Sequence, residues 1–393
     1  MSIPQLSLED AQARMLALVE PTAVESIAVE DAVGRYLAEP LVAARTQPPA
    51  DLSAMDGYAV AGGEPWTRVG ESRCGEPHEG SLSLGQCVRI STGAIIPEGA
   101  DRILIQEDAK VAGDIITAVE EPEPGRHIRR KAFEFAPGDA LLDAGKRIGA
   151  AELALVRSAG HATIKVHTRP IVAILDSGDE LSSDPANCAV HQIPASNAAM
   201  LGAMARQLPC NVHLSDPLPD DLEPIVAALE SNKTADLLVL TGGASVGDHD
   251  LAKPAIEAVG ADLDFWKVAM KPGKPLMVAR RGRQLILGLP GNPVSSYVTG
   301  FLFMVPALRR LLGARECTPH ALQLPLAADC PPGGVRREFL RAEWTSEGLV
   351  PLLQQDSSAL LALSNAHALI DRPAHVNETK AGTFVPAFLL ENP

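Results

Sequence analysis

Apolar and polar positions change their spacing several times along the chain, and each change predicts a different kind of structure. Residues 7–44 read as helical, first LEDAQARMLALV and then EDAVGRYLA. Ser7 stands where an N-cap belongs, with Asp10 three residues on. A proline-rich break follows, TQPPADLSAMDGYAV. From about 58 to 131 glycine and proline are frequent, and short runs such as RILIQ and IITAV predict a small β-rich insert. AELALVRSAG, at 151–160, returns to a helical pattern.

From Arg169 the pattern alternates. IVAIL, ADLLVLTGG, PLMVA and QLILGL are continuous apolar runs of strand length. NAAMLGAMARQL, DDLEPIVAALE, AKPAIEAVG and PVSSYVTGFLFMVPALRRLLG are helical. Apolar strands alternating with helices predict a parallel, doubly wound α/β sheet. After about 314, short runs such as EFLRAEW, HALIDRP and TFVPAFLL predict a small β-barrel or sandwich. No internal repeat is visible.

At 393 residues and 46% apolar composition the chain is too long for one core, and two to four domains are expected. The net charge of −15, with no basic stripe, argues against a nucleic-acid partner. It also means that any bound anion must be met by locally gathered cations. The six cysteines are widely spaced, with no CxxC and no Cys/His cluster, which suits a reducing compartment without structural zinc. The N-terminus shows no basic segment followed by an apolar run. VTGFLFMVPALRRLLG contains Pro306 and is too short to span a bilayer. A soluble, cytoplasmic protein with no membrane partner is the expectation.

Ligands of open α/β sheets bind beyond the carboxyl ends of the strands. Here those ends carry DSGDEL (176–181), TGGASVGDHD (241–250) and LPGNP (289–293). Glycines in the second let bare amides approach a ligand. In LPGNP, Asn292 suits an N-cap and Pro293 the first helical position. KPGKP (271–275) adds Lys271 and Lys274 on a backbone stiffened by Pro272 and Pro275, with Lys267 four residues upstream. By spacing alone it could lie at either edge of the sheet. Any one Gly/Pro cluster could be a plain turn; several at the ends of one sheet point to an anion site. Asp179, Glu180, Asp248 and Asp250 lie beside these loops, and Asp220 and Asp221 precede a helix whose first-turn acids they could simply be. Carboxylates next to an anion are tolerable when a cation bridges them, and Mg²⁺ is the usual one. The residues thus predict a phosphorylated small molecule, a divalent metal and phosphoryl-type chemistry. GxSxG, HExxH and the GK[ST] ending of a P-loop are absent, and the histidines form no ligand pair at helical spacing.

SAMDGYAV, ISTGAIIPEGADRILIQED, SGDEL, TGGASVGDHD, FWKVAMKPGKP and LPGNPVSSY, in this order, resemble the molybdopterin molybdotransferases, the MoeA and gephyrin E-domain family. The resemblance covers nearly the whole chain. It implies a multidomain α/β protein: a discontinuous helical N-terminal domain (1–44 with 132–168), a β-rich insert (45–131), a molybdopterin-binding α/β domain (169–313) and a C-terminal β-barrel (314–393). It implies an elongated homodimer with the site at the subunit interface, and molybdopterin adenylyltransferase as a candidate partner. The implied reaction inserts molybdenum from molybdate into adenylylated molybdopterin, with Mg²⁺, releasing AMP. Carried over by position, Glu180, Asp221 and Asp250 are the functional carboxylates and metal ligands, with Glu134 a weaker metal candidate. Lys267, Lys271 and Lys274 grip anions, and Arg341 and Ser357 help hold molybdate. Asp56 and Thr92 reach in from the partner subunit. Ser177, Gly178, Asp179, Gly242, Gly243, Ser245, Gly273, Pro290, Gly291 and Asn292 complete the expected binding loops.

The chain departs from the family pattern at three places. KAFEF replaces the usual GED, putting Ala132 and Glu134 at the glycine and aspartate. HQIPASN has Ala195 where an aspartate is usual, and Asp176 stands in place of serine or threonine. They favour one alternative to the insertase, a non-catalytic pterin-binding scaffold; a second alternative, a molybdopterin adenylyltransferase, shares the α/β domain, and the extra N-terminal and C-terminal regions argue against it.

Overall fold

The computed structural model describes residues 5–242 and 251–390. Helix α1 (Leu8–Ala17) begins where the sequence places it, and Ser7 Oγ accepts from the Asp10 amide at 3.1 Å. Its apolar face, Leu8, Ala11 and Met15, packs into the core of the α/β domain. The rest of the expected helical stretch is not helix. Val24–Ala28 pairs antiparallel with Thr163–His167, and EDAVGRYLA contributes only a single 3₁₀ turn, Val29–Asp31. Gly34, at φ +84°, cannot continue a right-handed helix from that turn. A second strand, Leu41–Val42, pairs with Ala140–Leu142. Helix α2 (Ala150–Ser158) forms as expected, with Glu152 accepting from the Gly149 amide at 3.0 Å.

The insert is built on a six-stranded mixed sheet. RILIQ and IITAV supply its strands Arg102–Ile105 and Ile115–Ala118. Trp66, fully buried, fills one face and donates Nε1–H to the Gly62 carbonyl at 2.9 Å.

The α/β domain centres on a sheet whose strands, in chain order, are β1 (Ile171–Asp176), β2 (Asn211–Leu214), β3 (Leu237–Thr241), β4 (Asp262–Trp266), β5 (Met277–Arg281) and β6 (Gln284–Leu289). The spatial order is 2-1-3-6-5-4. β2, β1, β3 and β6 run parallel, and β5 is antiparallel to both neighbours. Alternate residues of each apolar strand enter opposite cores, as strand geometry requires. Val172 and Ile174 face α1 and helices α3 (Asn197–Arg206), α6 (Pro293–Thr299) and α7 (Val305–Leu311). Ala173 and Leu175 face α4 (Leu222–Ser231) and α5 (Ala252–Ala258). The sheet is doubly wound. Its edge strands β2 and β4 are half polar, so they left no apolar run in the sequence.

The long C-terminal helix of this domain contains a π turn, Gly300–Met304, between α6 and α7. Pro306 has no N–H to give the Leu302 carbonyl. Gln12 of α1 supplies it instead, at 2.7 Å, and the buried carbonyl is satisfied.

The C-terminal region forms a six-stranded, mostly antiparallel sheet curled into a half-barrel, with Leu326 bridging back to Leu349. One edge strand comes from the α/β domain: Met270–Lys271 pairs parallel with Arg337–Thr345. KPGKP thus begins in a strand shared between two domains. Among the described residues no helix is long and apolar enough to cross a membrane.

Candidate active site at the strand switch point

β1 is followed in space by β2 on one side and by β3 on the other, so strand order reverses between β1 and β3. A crevice opens at such a reversal, beyond the strand ends. The two ends here are Asp176 and Thr241. Asp176 is 1% exposed. Its carboxyl accepts from Thr241 Oγ1 at 2.5 Å and from the Ala198 amide, in the first turn of α3, at 2.9 Å. Burial pushes its pKa up, against the pull of those two bonds. One departure from the family pattern has therefore become a fastener joining β1, β3 and α3.

Around this fastener the loops are set at close range. Gly242 has φ +87°, and a Cβ there would lie 2.1 Å from the Ser177 carbonyl oxygen. A Cβ on Gly291 would sit 3.6 Å from the Cα of Gly242. LPGNP consequently lies against the bend that starts TGGASVGDHD. Asn197, also buried, ties the same loop by donating Nδ2–H to the Gly291 carbonyl at 2.7 Å. Asn292 precedes α6 and Pro293 is its first residue, as expected. The Asn292 side chain does not cap the helix, however; it donates to Ser357 Oγ at 3.0 Å, while the Val294 amide donates to the Ser357 carbonyl at 3.0 Å. Ser357 thereby comes from the half-barrel to the rim of the α/β site.

KPGKP reaches the same helix from the other side. A Cβ on Gly273, at φ +98°, would meet Thr299 Cγ2 of α6 at 2.5 Å. Lys267 has φ +82° and its ammonium sits 4.1 Å from the Trp266 ring centroid, a cation–π contact. Lys274 holds the turn through its carbonyl, which accepts from the Val268 amide at 3.1 Å. Lys271 Nζ donates to Glu338 Oε1 at 3.0 Å. Glu338 is 9% exposed and faces Lys271 because the two are register partners in the shared strand pair. It is a site-adjacent carboxylate that no local pattern signals, since its partner lies 67 residues away.

Arg341 turns its two terminal nitrogens onto the chain itself, while its buried Nε has no partner among the described residues. It is 1% exposed and donates to the carbonyls of Gln354 at 2.8 Å and Asp356 at 3.0 Å, so it props the loop that carries Ser357. Burial lowers its pKa. Asp56 and Thr92 meet in the insert: the Thr92 amide and Oγ1 donate to Asp56 Oδ1 at 2.6 and 2.9 Å. The Thr92 amide bond, then the hydroxyl bond, hold the Asp56 carboxyl below its usual range. None of these bonds reaches the strand ends of the same chain. Glu134 is exposed on the loop that bonds back to Gln47, its amide donating to the Gln47 carbonyl at 3.0 Å.

The acids gather at the lip. Ser177 bridges to Leu218, and the Asp220 amide donates to Asp179 Oδ1 at 3.0 Å, which brings the 218–221 turn against SGDEL. Asp179 and Glu180 are both exposed there, and the Gly178 backbone turns beside the Glu180 carboxylate. Asp221 is the N-cap of α4 and accepts from the Glu223 amide at 3.4 Å, so the bland reading of this acid has a structural basis. Gly243, Ser245, Asp248 and Asp250 lie outside the described residues. Among the described residues, no three acidic, histidine or cysteine side chains form a group able to hold a metal. The donor chemistry still suits Mg²⁺, a hard ion that takes one or two carboxylates together with phosphate oxygens and water.

Glu338→Gln keeps the acceptor and removes a negative charge beside the lysine loop. It is expected to tighten oxyanion binding at the lysine loop about three- to tenfold, with Lys271→Ala acting in the opposite sense. Equilibrium titration with a tetrahedral oxyanion at fixed ionic strength checks both.

Known proteins match this architecture along nearly its whole length. The model for the MoeA N-terminal region (domain I and II) covers residues 6–160, that for a probable molybdopterin binding domain 173–310, and that for the MoeA C-terminal region (domain IV) 323–390. A molybdopterin molybdenumtransferase of Haemophilus influenzae is 35% identical over 319 residues, 79% of each chain. One from Staphylococcus epidermidis is 30% identical over 383 residues, 93% of this chain and 91% of its own. The crystal structure of a molybdopterin biosynthesis MoeA protein from Pyrococcus horikoshii superposes with a TM-score of 0.85 at 25% identity, covering 98% of this chain and all of that one. Matched in all three regions, and by relatives at 30% identity or more across most of its length, this chain belongs to the MoeA family.

Proposed function

We propose that this member of the MoeA family, a protein of molybdenum cofactor biosynthesis, inserts molybdenum from molybdate into adenylylated molybdopterin and releases AMP. The observation that carries the reading is the meeting of β1, β3 and β6 ends at one reversal point, walled by LPGNP on Gly242 and by KPGKP on α6. Supporting it, a net-negative chain carries Lys267, Lys271 and Lys274 on or beside the loop that packs on α6, the helix LPGNP begins, and acids line the end of β1. Lys267, Lys271 and Lys274 hold the anionic ends of pterin phosphate and molybdate. Backbone amides of the bend at Gly242 and of LPGNP take phosphate oxygens. Glu180, with Asp221 and Asp250, is assigned to Mg²⁺, which when bound supplies a cation against the charge that builds on the phosphoanhydride. Ser357 and the loop braced by Arg341 close the molybdate side. Asp56 and Thr92, whose bonds stay within the insert, are assigned to the site of a partner copy in a homodimer.

The test is AMP release from adenylylated molybdopterin with molybdate and Mg²⁺. Glu180→Ala is expected to lower turnover about a hundredfold or more, and chelation of Mg²⁺ to stop it until the ion is returned. Undiminished release from Glu180→Ala and Asp250→Ala would overturn the assignment. The scaffold alternative rests on Ala195, which offers no carboxylate and only a backbone bond, its amide donating to the Ser182 carbonyl at 2.9 Å. Pterin binding without turnover would favour it.

A further inference from the structure

A cavity of about 620 Å³ lies where the loop 140–147 of the N-terminal region faces α3 and α7. It is not the candidate active site. α3 begins at that site with Asn197 and ends at the cavity with Met204 and Gln207, about 15 Å away at the helical rise. Met204, Leu208 and Val305 give the cavity an apolar wall. Tyr36 and Arg147 face each other across an isolated antiparallel bridge, which puts their side chains on one side of it. Arg309 enters from α7.

The charges around this space are unevenly matched. Asp143 is paired with Arg315 at 2.8 Å, and Glu316 with His320 at 2.8 Å. Lys146 is paired with Glu152 at 3.3 Å. Arg147 and Arg309 have no carboxylate partner among the described residues; Arg309 gives one N–H to the Cys317 carbonyl at 3.3 Å. The Tyr36 ring is buried, and its hydroxyl has no hydrogen-bond partner among the described residues. Burial raises the pKa of that phenol while Arg309 and Arg147 pull it down, so all three groups act on the same space and the hydroxyl stays a donor. Two guanidinium groups without a carboxylate partner among the described residues and a phenol, set over an apolar wall, form an arrangement that recognises a planar or tetrahedral oxyanion attached to an apolar body. The volume falls in the range of small-molecule sites, and domain seams are where such sites concentrate.

We propose that this seam cavity binds a small organic anion, a carboxylate or a phosphate carried on a flat apolar body, held by Arg147, Arg309 and the Tyr36 hydroxyl. The site is independent of the pterin reading, and its test can fail without touching that reading.

The probes are 1-naphthoate and 1-naphthyl phosphate, titrated by fluorescence into the full chain, with 1-naphthalenemethanol as the neutral control. At least one anion is expected to bind saturably, and the alcohol about tenfold or more weaker. Arg147→Gln with Arg309→Gln should weaken the bound anion about tenfold or more, and Tyr36→Phe about threefold. Arg147→Gln alone, at an exposed side chain, carries the test if the double variant does not fold. Lys271→Ala should leave binding unchanged. Whichever headgroup binds more tightly assigns the anion. Absence of saturable binding by either anion, equal binding of the alcohol, indifference to Arg147→Gln, or loss in Lys271→Ala instead would each overturn the proposal.

Discussion

Gly242→Ala is expected to destabilise the α/β domain by about 2–4 kcal/mol and to abolish ligand binding at the strand switch point. Two independent costs meet in this one methyl group. The backbone sits at φ +87°, a region that alanine enters only with strain. The new Cβ would also lie 2.1 Å from the Ser177 carbonyl oxygen and 3.1 Å from its carbonyl carbon, both in the main chain. No rotamer change relieves such a clash. The Ser177 amide is itself fixed, donating to the Thr241 carbonyl at 2.9 Å, and Gly178 N–H donates to Leu218 at 3.0 Å. Relief must come from parting the ends of β1 and β3, which opens the crevice itself. Gly291→Ala is the contrast: its Cβ meets only ordinary contacts from 3.6 Å outward, and its effect should stay below about 1 kcal/mol. Urea unfolding of both variants, beside pterin binding, measures the difference. A Gly242→Ala protein as stable as the parent would show that the two strand ends are not held as described.

Legibility from sequence followed the range of the interactions involved. β1, β3 and β6 are apolar on both faces, so each announced itself as a continuous run. α1 carried its own start chemistry in Ser7 and Asp10. The half-polar edges β2 and β4 are strands because the sheet needs edges, a fact held by their neighbours and not by their own residues. The same holds for Val24–Ala28, read as helix from its surroundings but fixed as a strand by Thr163–His167, far along the chain. At the site, glycine loops and paired lysines were visible because each is a local device. Glu338 behind Lys271, Arg341 turned inward onto two carbonyls, and Asp176 as a fastener all depend on partners brought in by the fold. The family resemblance gave Arg341 a place at molybdate; in the fold its terminal nitrogens also brace the loop that carries Ser357.

Arg337→Met is expected to cost about 3–5 kcal/mol of stability, because it leaves the buried Asp371 carboxylate without its cation. Arg337 Nε and a terminal nitrogen donate to the two Asp371 oxygens at 2.6 and 2.5 Å, a bidentate pair, and Asp371 is 5% exposed. The same guanidinium also bonds Glu9 of α1, so one side chain joins the half-barrel to the helix that seals the α/β core. Its pKa is pushed up chiefly by the Asp371 bond. The Glu9 arm is exposed on the carboxylate side and, as a surface pair, should contribute less than about 1 kcal/mol. Glu9→Gln therefore separates the two arms with a small effect of its own. The decisive variant is Arg337→Met combined with Asp371→Leu, which removes the stranded charge together with its partner and should recover most of the loss. Recovery would place the cost of Arg337→Met in an unpaired buried charge. A double variant as unstable as the single one would place it instead in the packing of the Arg337 stem against Phe339, whose ring the guanidinium overlies at 5.7 Å.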